Sequence, residues 1–299
     1  MDILSLSAHI FAPVFIGWYL KQLTILNEDF GMLAQRYIYY FGVPITAFVG
    51  VYRTDFSLLT DINIYVLTVL PMMIVAVTAF VITRYFKLGH HLFPMFIICS
   101  FFSNATYIGT NLSYEHIGVE SLEIASFIST IYLIIAFTFG ISLLNRFLYG
   151  TEHSRTIHRI PVLWAALLGL IFSWFHLPDM VISSFDTIAA TTPTLSLITA
   201  GLVIEIPDLK RFYRDIGTLC SLKLILLPLV TAILCLVVNS PIMLEKVALL
   251  SAATPVAVTT TIIAGHFKMR QEFPVNAIIA TTLVSIVTLR LFLFILGEI

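Results

Sequence analysis

Apolar runs of about twenty residues recur from one end of the chain to the other, and they constrain the fold more than any motif does. A helix rises about 1.5 Å per residue, so each run is about what one helix needs to cross a ~30 Å hydrocarbon core. Only 11% of the 299 residues are charged and 59% are hydrophobic. A soluble domain carries about 25% charged residues. A lipid-embedded bundle accounts for this pattern and a soluble core does not. The predicted class is an all-α polytopic membrane protein with ten transmembrane helices, near 3–22, 31–52, 61–83, 93–112, 120–145, 160–176, 183–204, 215–238, 243–265 and 273–297.

Charge placement orients the spans. Lys21, Arg36, Arg84, Lys87, Arg146, Arg155, Arg159, Lys210, Arg211, Arg214, Lys268 and Arg270, twelve in all, fall on one side, against Arg53 and Lys246 on the other. The positive-inside rule then puts both termini outside the cytoplasm, in a multi-pass protein of the cell (inner) membrane. No basic region precedes the first apolar run, so no cleavable signal is expected. Cys99, Cys220 and Cys235 lie in apolar runs without metal spacing and suggest neither a disulfide framework nor a metal site. The net charge of −1 names no partner, and no nucleic-acid partner is expected; the bilayer is the expected environment.

The chain repeats itself at a near-constant offset. Pro44 and Pro193 are 149 positions apart, the polar breaks Asn104-Ala105-Thr106 and Thr254-Pro255-Val256 are 150 apart, and Gly17 and Gly169 are 152 apart. Pro71 and Pro228 differ by 157, which needs a small change in loop length. Each half, 1–148 and 160–299, holds five spans, joined by a polar, basic linker at 149–159. An odd number of spans forces the second copy into the membrane upside down, the inverted repeat common among secondary transporters.

Spans four and nine are interrupted near mid-membrane. Asn104 lies roughly 17 Å into its span at 1.5 Å per residue. Asn104 and Thr254 are good N-cap residues, and Pro255 would sit at the first helical position, where its missing N–H costs nothing. Two half-helices would then start at the midplane from opposite sides, with hydroxyls and amides from Thr106, Tyr107, Thr110, Asn111, Thr259, Thr260 and Thr261 nearby. Unpaired N–H groups and two positive dipole ends would receive a carboxylate without a buried lysine or arginine. The competing readings are a plain kink at Pro255, with Thr or Ser satisfying the freed carbonyl, and Asn104 as interhelical glue.

These residues resemble the auxin efflux carrier family, which includes plant auxin exporters and bacterial permeases assigned to malate or malonate. The resemblance covers essentially the whole chain and is most specific in Ser100–Gly118 and Ala248–Val287, including Ala252-Ala253-Thr254-Pro255-Val256-Ala257-Val258. It implies broken helices four and nine that cross, a scaffold of spans 1, 2, 6 and 7, and a transport unit of spans 3–5 and 8–10 that moves like an elevator. Plant members carry Asn-Pro-Asn at the first crossover. Here Ala105 follows Asn104, and the long plant cytoplasmic loop is absent, which argues against auxin and for a short prokaryotic type. The related bile acid sodium symporters share the fold.

The expected function is secondary transport of a small organic anion, a mono- or dicarboxylate. The candidate substrate-binding residues are Asn104, Thr106, Tyr107, Thr254, Pro255, Thr259, Asn276 and Ser129. Lys223, roughly 12 Å into span eight, is either a snorkelling or structurally paired lysine or a coupling charge. Arg290 is expected to snorkel outward, and Trp18, Tyr19 and Tyr149 to anchor at the interface. No Asp or Glu lies deep in a span, which disfavours a carboxylate proton relay; the coupling ion, Na+ or H+, stays open. The alternative within transport is a sodium-coupled symporter of a larger amphipathic anion such as a bile acid or steroid conjugate. An intramembrane enzyme is not expected, because His-Glu-x-x-His, Gly-x-Ser-x-Gly and paired glutamates are all missing from the sequence. No cofactor is expected, and related folds often form homodimers.

Overall fold

The computed structural model describes residues 3–86, 93–150, 160–203, 213–295 and Gly297. The expectations on Lys87, linker residues 151–159, Lys210 and Arg211 lie outside them. The described chain is helical, in chain order α1 (Ile3–Gln22), α2 (Glu28–Tyr37), α3 (Val43–Tyr52), α4 (Phe56–Thr60), α5 (Ile62–Phe86), α6 (Phe93–Phe101), α7 (Thr110–His116), α8 (Leu122–Ile135), α9 (Ile141–Tyr149), α10 (Pro161–Phe172), α11 (Asp179–Val203), α12 (Tyr213–Ser221), α13 (Leu227–Val237), α14 (Ile242–Ala253), α15 (Thr260–His266) and α16 (Glu272–Ile295).

Among the described residues, four continuous helical stretches are long and apolar enough to cross a bilayer: Ile62–Tyr85, Val119–Tyr149, Tyr213–Val237 and Glu272–Phe294, with mean hydropathy of 2.2 to 2.5. They are the third, fifth, eighth and tenth expected spans. Of the other expected spans, the first falls on the 20-residue α1, the sixth on α10 with 12 residues, and spans four and nine are each split in two. The result is a polytopic, membrane-integral helical protein.

Prolines explain two of the irregular turns. Wide π turns at Ile38–Gly42 and Leu222–Leu226 come just before Pro44 and Pro228. A proline has no N–H to return to the preceding turn, so the helix widens ahead of it. The Val43 N–H reaches Ile38 O and the Leu227 N–H reaches Leu222 O.

Polarity is distributed for lipid outside and polar contacts inside. Leu236, Val287 and Phe294 are 88%, 71% and 70% exposed, while Ser100, Ser251, Thr260, Thr261 and Thr281 are fully buried. Soluble proteins rarely expose large contiguous apolar surface. Small residues bring the backbones together, as membrane helices require in the absence of a hydrophobic drive between them. A Cβ at Gly17 of α1 would stand 2.1 Å from Ile198 O of α11, and one at Gly201 of α11 2.1 Å from Val14 O of α1. A Cβ at Gly169 of α10 would stand 2.6 Å from Phe48 O of α3. Thus α1 packs along α11 and α3 along α10, whereas α5 packs on α6 and α13, and α13 on α14.

Candidate functional site

The site starts from two failures of helix. After α6 ends at Phe101, regular turns resume only at Ala105; after α14 ends at Ala253, they resume only at Thr260. The two unwound segments pair with each other. Ser103 and Val256 form an antiparallel bridge, the Asn104 N–H donates to Pro255 O at 2.8 Å, and the Ala257 N–H donates to Phe102 O at 3.0 Å. The Val256 N–H donates to the Thr281 hydroxyl of α16 at 3.2 Å. Away from water each unpaired backbone group is costly, so two broken helices in one plane satisfy each other.

Asn104 stands at the cap position expected for it. A π turn, Ala105–Gly109, follows, and Asn104 O accepts from the N–H groups of Ile108 and Gly109. Its side chain does not cap that turn. Thr254 corrects the sequence reading: it ends α14 in extended conformation instead of starting the next half-helix, and Thr259 is the residue before α15. Pro255 therefore opens the crossing segment, where its missing N–H again costs nothing.

A cavity opens beside the crossing. Asn104, Thr106, Tyr107 and Thr259 line it, with Phe102, Ser103, Ala257 and Val258 from the breaks, Val43 and Thr46 from α3, Leu133 from α8, and Thr192, Pro193 and Ser196 from α11. It spans about 410 Å3 including its open mouth. The part wide enough for water holds only about two molecules, so the walls are close together. No charged side chain is among the lining residues.

The walls differ in hydrogen-bonding sense. On the crossover wall, the N–H groups of Thr106, Tyr107, Val258 and Thr259 take no backbone acceptor among the described residues, as expected at helix starts. The Ser103 hydroxyl and the Tyr107 hydroxyl, the latter near Thr194, are buried without a partner in hydrogen-bonding geometry. On the α3 and α11 wall, Thr46, Thr192 and Ser196 each donate their hydroxyl proton back to their own helix, to Gly42 O, Ile188 O and Thr192 O. One wall thus offers donors and the other chiefly lone pairs.

The other expected residues divide. Thr254 and Pro255 sit in the crossing but not on the cavity surface. Ser129 donates to Ser126 O of its own helix at 2.8 Å, away from the lining. Asn276 is also off the lining, 5% exposed, with an unpartnered Oδ1. Lys223 does not snorkel. It is fully buried, and its Nζ donates to Ala252 O at 2.9 Å and Thr254 O at 2.6 Å, the last carbonyls before the break. Sequence reading missed Thr46, Thr192 and Ser196 as lining residues. The signal was present, since Thr192 and Ser196 are four apart and so share one helix face, next to a repeat-matched proline.

Comparison with known proteins agrees with this architecture. Residues 3–293 match the family described as membrane transport protein. The chain belongs to that family. An uncharacterized transporter from Methanothermobacter thermautotrophicus is 25% identical over 283 residues, 93% of either chain. Another from Methanocaldococcus jannaschii is 22% identical over 298 residues, 95% of either chain. A probable auxin efflux carrier component of Oryza sativa subsp. japonica is 28% identical over 149 residues, 46% of this chain and 34% of its own. The resemblance to auxin efflux carriers read from the crossover residues is therefore a family relationship, and this membrane transport protein carries its cavity at those residues.

Proposed function

We propose that this membrane transport protein is a secondary carrier of a small organic anion, a mono- or dicarboxylate, held at the crossover wall of the cavity. The observation that carries the reading is the set of unaccepted N–H groups at Thr106, Tyr107, Val258 and Thr259 beside the Asn104 amide. Oriented backbone donors at helix starts suit a carboxylate without a cationic side chain. The hydroxyl oxygens of Thr46, Thr192 and Ser196 would face the far end of the substrate, favouring one that carries a donor there.

The same reading takes the chain as ten spans in inverted halves, 1–148 and 160–299, with both termini outside the cytoplasm of the cell membrane. Support comes from the packing. Under the repeat, span one maps to span six and span two to span seven, so the α1–α11 pair maps onto the α10–α3 pair. Those four helices would be the scaffold, and the cavity lies between its α3 and α11 face and the crossover. Elevator movement would part these walls, giving room to a substrate that the narrow cavity now lacks.

Thermal unfolding in detergent tests the substrate class, with monocarboxylates, dicarboxylates and bile acids, each with and without sodium. The carrier reading expects a small carboxylate to raise the melting temperature in wild type and not in Asn104→Ala. A shift with bile acids alone, and only with sodium, would instead establish a sodium symporter of larger anions.

A further inference from the structure

A buried lysine without a carboxylate partner needs another source of negative potential. Lys223 makes no ion pair among the described residues, and its two hydrogen bonds go to Ala252 O and Thr254 O. Ala252 belongs to the last turn of α14, whose carbonyls have no helical acceptor role left, and Thr254 is its extended C-cap. The negative end of the α14 dipole points the same way. In discontinuous membrane helices, such unwound carbonyls and half-helix C-terminal ends are what coordinate monovalent metal ions. Here the ligands are already engaged by a tethered cation. Lys223 also sits in the π turn Leu222–Leu226, a local widening of the helix that carries its side chain toward the break.

We infer that the Lys223 ammonium is a resident cation, filling the place at the α14 break that a monovalent metal ion would otherwise take, so that this protein binds no sodium there. Its role in a transport cycle rests on the proposed carrier function; its place at the break does not. A second cation at these carbonyls would lose the two ligand oxygens that Lys223 holds. Lys223 is thus a positioning residue. It keeps α14 ended at Ala253 and leaves the crossing segment free to pair with Phe102 and Asn104.

The test is melting temperature of the purified full chain in detergent, for wild type, Lys223→Ala and Lys223→Met, in choline, sodium and methylammonium chloride at equal ionic strength. Wild type is expected to melt at the same temperature in all three salts. Lys223→Ala removes the side chain beyond Cβ and frees both carbonyls, and methylammonium is small enough to enter, so it should raise the melting temperature by about 3 °C at ten times its dissociation constant. Lys223→Met fills the hole with an uncharged chain and should melt below wild type without responding to methylammonium. A purely structural lysine would give losses in both variants with no such difference between them. Stabilisation of wild type by sodium, or an equal response of both variants to methylammonium, overturns the inference. If Lys223→Ala does not fold, Lys223→Ser takes its place in the same comparison with Lys223→Met, and a sodium-dependent rise in wild type still overturns the inference. Failure to find any carboxylate uptake would sink the carrier reading and leave these shifts as they are.

Discussion

Asn104 does two jobs with one residue. Its backbone N–H closes the pairing with Pro255 O, and the residue lines the cavity with a side chain that does not cap the following turn. Replacement by alanine keeps the backbone bond and removes the amide. We expect Asn104→Ala to express and melt close to wild type while substrate affinity drops at least tenfold, the scale of one lost hydrogen bond to a charged group, about 1.5–3 kcal/mol. A titration of ligand-induced melting shift measures it. Tyr107→Phe separates the same quantities, because the Tyr107 hydroxyl is buried and unpartnered. Removing it should leave stability unchanged or slightly raised, and a fall in affinity would place that hydroxyl on the substrate. Asn104, Thr106, Tyr107 and Thr259 were legible in the sequence because an amide or hydroxyl at membrane depth is costly unless something there bonds to it, so a polar break in an apolar run marks a place where backbones or a ligand meet. Ser129 met that criterion too, with core hydrogen bonding as the favoured alternative. Its proton instead goes to Ser126 O, since a serine inside a helix can satisfy itself on its own turn.

At the scale of elements, the breaks and the glycine contacts set which helices can approach. Thr281→Val removes the hydroxyl that accepts from the Val256 N–H and leaves a buried donor unpaired. The expected loss is about 1–3 kcal/mol of stability, read by chemical or thermal unfolding in detergent. Gly17→Ala and Gly201→Ala should each destabilise by a similar ~1–3 kcal/mol, because the added methyl meets a backbone carbonyl that cannot rotate away. Neither change touches the cavity, so substrate affinity of the folded fraction should hold. The element pattern was partly legible. Proline and the polar triplets marked where spans two, four and nine lose regular geometry. They did not reveal that the second break stays unwound for the six residues from Thr254 to Thr259. N-cap preference favours Thr254, and only pairing with Ser103 and Asn104 makes an unwound segment worth keeping. Nor did depth alone give the direction of Lys223, since the sequence names no partner for it and its ligands are main-chain carbonyls, which leave no trace in residue type.

At the scale of the molecule, the α1–α11 and α3–α10 pairs form one group and the crossover helices another, with the cavity between them. Polar contacts also join the groups. Gln35 of α2 exchanges hydrogen bonds with Gln271 just before α16, at 2.9 and 3.3 Å, and Tyr39 stacks on His266 with ring centroids 3.7 Å apart. The proposed elevator movement would have to break this seam. A short bifunctional thiol linker joining Gln35→Cys to Gln271→Cys should therefore stop transport, and cleaving the linker should restore it. The most direct measurement of the carrier function is uptake of radiolabelled mono- and dicarboxylates into proteoliposomes, comparing wild type with Asn104→Ala. Saturable uptake of at least one small carboxylate is expected for wild type, strongly reduced in Asn104→Ala at equal reconstituted protein. Saturable uptake unchanged by Asn104→Ala, or no carboxylate uptake by protein that also binds none, would contradict it.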